Sequence, residues 1–233
     1  VWLFGLLNLK DEKGGESLYA HWGRHKALAE PVQHGVCRFD DATGVFENVV
    51  EIDPAEKWRH PLGNAVRVTD AAGDWFYFAF PFFHTRVRAT AADVTTPASC
   101  GARRFDEAPR QWRWQREAAP TKQGEELKLL LSGKMKAVEA RHHLKDVRSG
   151  KAVRLHTASI EWNEFRQRWV LIGLQSGGRD DPSPLGEVWY AESAKPEGPW
   201  SRCIKVASHP RYSFYNPVHH AFLDAEGGRI IYF

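Results

Sequence analysis

What most constrains the fold of this chain is a repeat. Aromatic–aliphatic runs recur at Trp2 to Leu7, Trp75 to Phe80, Trp169 to Leu174 and Ile230 to Phe233. Such runs are short and bounded by turn residues, and they are rich in the side chains that strands favour. After each of the first three comes a loop and a second short strand: Ser17 to Trp22, Arg86 to Thr90, and Glu187 to Glu192. Tyr19-Ala20 and Tyr190-Ala191 fall at the same place in their units. A Pro-containing loop leads to a third strand that carries a cysteine: Gly35 to Phe39 with Cys37, Ser99 to Arg103 with Cys100, and Arg202 to Val206 with Cys203. A further strand precedes each of the later runs: Asn64 to Val68, Thr157 to Trp162 and Asn216 to Leu223. The turn after the last of these, Asp224 to Gly228, holds the glycine pair that a tight hairpin uses for positive φ.

Four antiparallel strands per unit, with Trp leading the second, is the pattern of a β-propeller blade. The expected fold is therefore all-β, a partial propeller of about three to four blades forming a single domain over residues 1–233. Strand-like runs at both ends predict a chain truncated on both sides. Residues 106–153 interrupt the repeat and read as an inter-blade insertion with a short helix. There Leu127, Leu130 and Leu131 fall at i, i+3 and i+4, and Ser132-Gly133 ends the pattern. A segment this short cannot bury a core of its own.

Composition excludes several classes. With 233 residues, 42% hydrophobic and 26% charged, the chain can build a sizeable core. Its 32 basic and 29 acidic side chains leave a net charge of +3, without the basic excess of a nucleic-acid binder. No apolar run is long enough for a membrane-spanning helix. The first residues lack the basic flank and cleavage site of a signal peptide. The three cysteines share equivalent strands and form no CxxC, so they read as small buried apolar groups. Of ten tryptophans, Trp2, Trp75, Trp169, Trp189 and Trp200 belong to the repeat, while Trp58, Trp112 and Trp114 lie in connecting segments. No phosphate-binding glycine motif occurs and no cofactor is expected. His142-His143, His219-His220 and His209 lack metal-ligand spacing, and neighbouring histidines diverge, so no metal is expected either. Asp180-Asp181, in a Gly- and Pro-rich loop, reads as a turn.

The stretch Gly186 to Trp200, with Tyr190-Ala191-Glu192-Ser193 and then Gly198-Pro199-Trp200, resembles the outer strands of the five-bladed propeller glycoside hydrolases. That group comprises arabinanases, β-xylosidases, arabinofuranosidases (family 43) and their fructan-cleaving relatives. Trp162 to Trp169, with Tyr212 to Pro217, resembles large bacterial propeller proteins. The resemblance implies hydrolysis by three carboxylates at the openings of innermost strands, a carbohydrate partner, and a secreted or periplasmic protein. The matching openings here hold Gly63-Asn64, His156-Thr157 and Asn216-Pro217. An amide binds a sugar hydroxyl but cannot accept a proton as a base.

The expected ligand-binding set is thus Asn64, His156, Asn216 and His219, converging on a central channel, with Trp58, Tyr212 or Tyr215 offering a stacking face. The alternative is that these polar groups bond one another and trapped water. Glu161 and Glu187 are the carboxylates nearest the sheet. Glu161 faces away from Ile160 and Trp162 and is the one candidate acid catalyst, with Arg166 and Arg168 as alternative ionic partners across the hairpin. Two functions follow: a propeller glycosidase, or a non-catalytic glycan-binding or scaffolding propeller.

Overall fold

The computed structural model describes residues 1–10, 14–27, 30–178 and 183–233; the expected turn at Asp180-Asp181 lies outside them. The fold is all-β and carries the blade pattern of a partial propeller in three sheets. The first sheet runs β1 (Trp2–Lys10), β2 (Glu16–Ala27), β3 (Glu30–Asp40) and β4 (Val45–Ile52), in chain order and antiparallel throughout. The second has the order β5 (Asn64–Asp70), β6 (Gly73–Ala79), β7 (Phe83–Arg88), β8 (Gly101–Asp106) and β9 (Gln111–Gln115). A short helix, α1 (Ala91–Val94), joins β7 to β8 and is capped by the Thr90 side chain. The third sheet contains β10 (Lys145–Asp146), β11 (Leu155–Asn163), β12 (Arg168–Gln175), β13 (Glu187–Ser193) and β14 (Arg202–Ser208). Its order is β10-β14-β13-β12-β11, with β10 parallel to β14.

Side-chain register confirms the repeat. Ala20 lies opposite Cys37 in the first sheet, and Ala191 lies opposite Cys203 in the third. The aromatic runs become interior strands. Trp75 to Ala79 are all buried, as are Val170 to Leu174, so these strands are apolar on both faces instead of alternating. In β1 the alternation resets at Gly5, whose φ of +51° forms a bulge between Phe4 and Leu7.

By packing, the chain divides into two compact units, residues 1–78, 84–104 and 113–120 in one and residues 79–83, 105–112 and 121–233 in the other. The core of the first is built from Leu7, Leu9, Val36, Ile52, Phe76 and Phe78. In the second, Val170, Ile172 and Val188 form one cluster and Phe105, Met135 and Ala140 another.

Four expectations are corrected. Gln111–Gln115, placed by the sequence inside the insertion, is the edge strand of the second sheet. The helix α2 (Gln123–Leu131) does form and ends at Ser132-Gly133, but Leu127 and Leu131 are exposed. Its inward face carries Glu126, Leu129 and Leu130 instead, because Glu126 supplies acceptors for the backbone N–H groups of Arg141 and His142. Asn216 to Leu223 is not a strand. Asn216 has φ +47°, and Ala221–Leu223 is a 3-10 turn. Ile230 to Phe233 forms no strand among the described residues: Ile230 bridges Ala225, and the Tyr232 carbonyl accepts from the His220 N–H.

Candidate functional site

Among the expected ligand-binding residues, Asn64 opens β5 and is exposed. His156 is exposed near the start of β11, with its ring edge-on to Phe80. Asn216 and Tyr215 are exposed on irregular chain, and Tyr212 stands exposed beside His209 and Phe214. Trp58 is half-buried in a 3-10 turn, and the Arg59 guanidinium lies 4.3 Å from its ring centre, so one stacking face is already taken. His219 alone is buried, and it leads to a polar cluster in the second unit.

That cluster follows from strand alternation. Ser159, Glu161 and Asn163 share one face of β11, opposite Ile160. The segment from His219 to Arg229 lies along this face. The backbone N–H of His219 donates to Ser159 Oγ at 2.8 Å, and Asn163 Nδ2 donates to the carbonyl of Gly228 at 2.9 Å. Between these anchors, His219 Nε2 meets Asp224 Oδ1 at 2.9 Å. An ionised carboxylate only accepts, so Nε2 is the donor, and the buried Nδ1 has no hydrogen-bond partner among the described residues.

Glu161 is half-buried between the anchors. Burial, and then the negative charge of Asp224, push its carboxyl up to about 7. Both causes disfavour the charged form, so the group is a proton donor near neutral pH beside an ionised neighbour. Among the described residues neither expected arginine forms an ion pair with it; Arg166 pairs with Glu192. Arg166 also bonds Asn163 Oδ1 and the carbonyls of Gly228 and Arg229. Glu161 stands toward the hairpin end of β11, next to residues 164–167, not at the opening of the strand. Asp224 escaped sequence reasoning because it resembles an ordinary turn residue. The only signal was the pairing of His219 with an acid five residues on.

The first unit holds a second concentration of imidazoles. His34 and His60 stack with ring centres 4.2 Å apart, His21 meets His60 edge-on, and His25 stacks on Trp2. His60 Nε2 bonds the carbonyl of Trp22 at 2.8 Å. Burial and mutual proximity hold His21 down to about 3 and His60 to about 4. Among the described residues no group of three or more His, Cys, Asp or Glu is disposed to hold a metal ion. Nor is any described helix long and apolar enough to cross a membrane.

No family model and no curated protein matches the chain. A solved protein assigned only provisionally as a hydrolase, from Bacteroides ovatus, superposes with a TM-score of 0.51 at 11% identity over 96% of this chain. The chain spans 52% of that protein's length. At that identity the likeness speaks for the fold alone. An endo-1,5-α-L-arabinanase from Thermotoga petrophila, solved with Tris, aligns over 85% of this chain and 39% of its own at 14% identity, but its TM-score of 0.34 carries no inference.

Proposed function

We propose that residues 1–233 form one partial propeller domain, with an insertion over residues 106–153 whose strands Gln111–Gln115 and Lys145–Asp146 extend the second and third sheets, of a protein that hydrolyses glycosidic bonds in a polysaccharide or oligosaccharide. The observation that carries this reading is the placement of Glu161, half-buried on β11 between the Ser159 and Asn163 anchors and beside the Asp224 carboxylate that His219 holds, where burial and then Asp224 push its carboxyl up to about 7. Glycoside hydrolysis needs such a pair, one carboxyl holding a proton for the leaving oxygen and the other charged. Glu161 is the acid. Asp224, oriented by His219, is the base or nucleophile. The hydrolase-like fold and the sequence resemblance support carbohydrate as the substrate class, and a secreted or periplasmic setting suits it.

The test is hydrolysis of arabinan, xylan and fructan panels by the wild-type protein and by Glu161→Gln and Asp224→Asn. We expect both substitutions to lower kcat by at least about a hundredfold, in the range of general acid–base contributions. Wild-type activity should fall as pH rises past about 7, as the acid ionises. Full activity in Glu161→Gln defeats the assignment.

A second reading, a non-catalytic glycan-binding module, rests on the strand openings: β5 begins at Asn64 and β11 at Leu155-His156, with no carboxylate at either. Glycan binding without cleavage by the wild-type protein supports it.

A further inference from the structure

At the end of the third sheet away from Glu161 lies an open recess of about 210 Å³. Gln175 ends β12, Glu187 opens β13, and Lys205 and Ser208 lie at the end of β14, so antiparallel pairing gathers them at one edge. Ser183 and His209 complete the wall. Gln175 is paired with Leu155, six residues before Glu161 on β11, which separates the two places by about 20 Å at strand rise.

The lining is unusual in having spare capacity of both kinds. Gln175 Oε1 is buried with no donor among the described residues, and a buried acceptor left unpaired costs free energy. Lys205 Nζ donates to Glu187 Oε1 at 2.6 Å, stands 5.5 Å from the centre of the Trp189 ring, and has no other hydrogen-bond partner among the described residues. The other carboxylate oxygen of Glu187 is still able to accept. His209 Nδ1 accepts from the Arg211 N–H at 3.2 Å, which puts the proton of the neutral ring on Nε2 as a donor. Gly186 is obligatory in this wall, because a Cβ there would stand 2.8 Å from the His209 carbonyl oxygen.

An ion pair is already closed within the recess, so a strongly charged guest of either sign would face a like charge. A neutral guest with alternating donors and acceptors fits. Vicinal hydroxyls can donate to Glu187 and Gln175 while accepting from Lys205 and His209. The volume lies below that of sites for drug-sized ligands, enough for one ring and not for a chain segment. We propose that this recess binds a single neutral sugar ring, a free monosaccharide or the terminal unit of a glycan, at a site separate from the carboxylate pair.

Isothermal titration of the whole chain with D-glucose, D-galactose, D-mannose, D-xylose and L-arabinose tests this. We expect saturable binding of at least one sugar, weakened at least tenfold by Gln175→Leu and by Lys205→Met, and unchanged in Glu161→Gln. Circular dichroism selects the variants that fold, and Ser208→Ala, a smaller change, gives a third reading at the same wall. No saturable binding of any sugar overturns the proposal, as does binding unaffected by all folded recess variants. Binding lost in Glu161→Gln but kept in the recess variants places the sugar at the carboxylate pair and overturns it too. Loss of hydrolysis in Glu161→Gln with sugar binding intact keeps the two sites distinct.

Discussion

The imidazole of His219 holds the carboxylate of Asp224 at 2.9 Å, and the charge so fixed adds to burial, the larger cause, in raising Glu161. Because Glu161 is higher in the folded chain than its ordinary 4.5, its contribution to stability is complete below about 4.5 and is lost as pH rises to about 7. Glu161→Gln should remove that loss. Above pH 7 we expect the variant to be more stable than the wild type by about 2 kcal/mol, and near pH 4 to match it. Urea denaturation at the two pH values checks this. Asp224→Asn should lower the Glu161 value while leaving it above 4.5, since burial persists; carboxyl-carbon NMR titration reads it.

The stacked histidines of the first unit work in the opposite direction. His21 and His60 are held far below 6.5 by burial, so they favour folding fully above pH 6.5. Acid takes this away as pH falls from about 6.5 toward 4, where the unfolded chain binds protons that the folded one refuses. Replacing His21 with Leu should soften the fall in melting temperature over that interval and recover about 2 kcal/mol at pH 4. Melting curves at pH 7.5 and 4 decide it. An identical acid loss in the variant would place the effect elsewhere.

Glu126 is a buried carboxylate on α2 with work for both oxygens. They accept the backbone N–H groups of Arg141 at 3.0 Å and His142 at 2.9 Å, beside the His142 ring. Burial pushes its carboxyl up, but the hydrogen bonds and the His142 ring outweigh it and hold the group below the usual range. Glu126→Ala strands those donors in the interior and should cost about 3–5 kcal/mol. Glu126→Gln, which keeps one acceptor, should cost less. Chemical denaturation of the two variants ranks them.

Trp200 is buried almost completely, and its Nε1 donates to the carbonyl of Pro196 at 3.3 Å. Trp200→Ala should cost about 3–5 kcal/mol. Gly198, at φ +89°, turns the chain into this packing; a Cβ there would lie 2.9 Å from the Arg141 carbonyl oxygen. Gly198→Ala should cost at least about 1–2 kcal/mol from its backbone alone, measured by the same denaturation. Trp169 belongs to the same repeat but is only half-buried, edge-on to Trp162 and Phe83, so its truncation should cost less than that of Trp200.

The strands with a Trp-led or cysteine-bearing signature were readable because burial on both faces leaves an uninterrupted apolar run, and because the Ala–Cys pairing is local to one hairpin. The edge strands β4 and β9 were not. Val45 to Ile52 is mostly exposed and Gln111 to Gln115 interleaves its two tryptophans with polar residues, so neither carries the uninterrupted apolar run of an interior strand. Asn216 to Leu223 looks like a strand in composition, yet Asn216 takes a left-handed backbone and His219 is drawn to Ser159, a partner sixty residues away. The candidate site was half legible for the same reason. Strand alternation marked Glu161, whereas Asp224 acquires its meaning only from a contact that sequence spacing cannot reveal.

The three cysteines are buried, one in β3, one just before β8 and one in β14, and burial pushes the thiols up, those of Cys100 and Cys203 to about 12. Thiolate is the reactive form, so a folded chain presents almost none of it to disulfide reagents. Each sulfur therefore serves as a shutter that opens only when its own surroundings come apart. Variants keeping one cysteine at a time would turn alkylation into three separate clocks, timing how soon each region of the fold breathes.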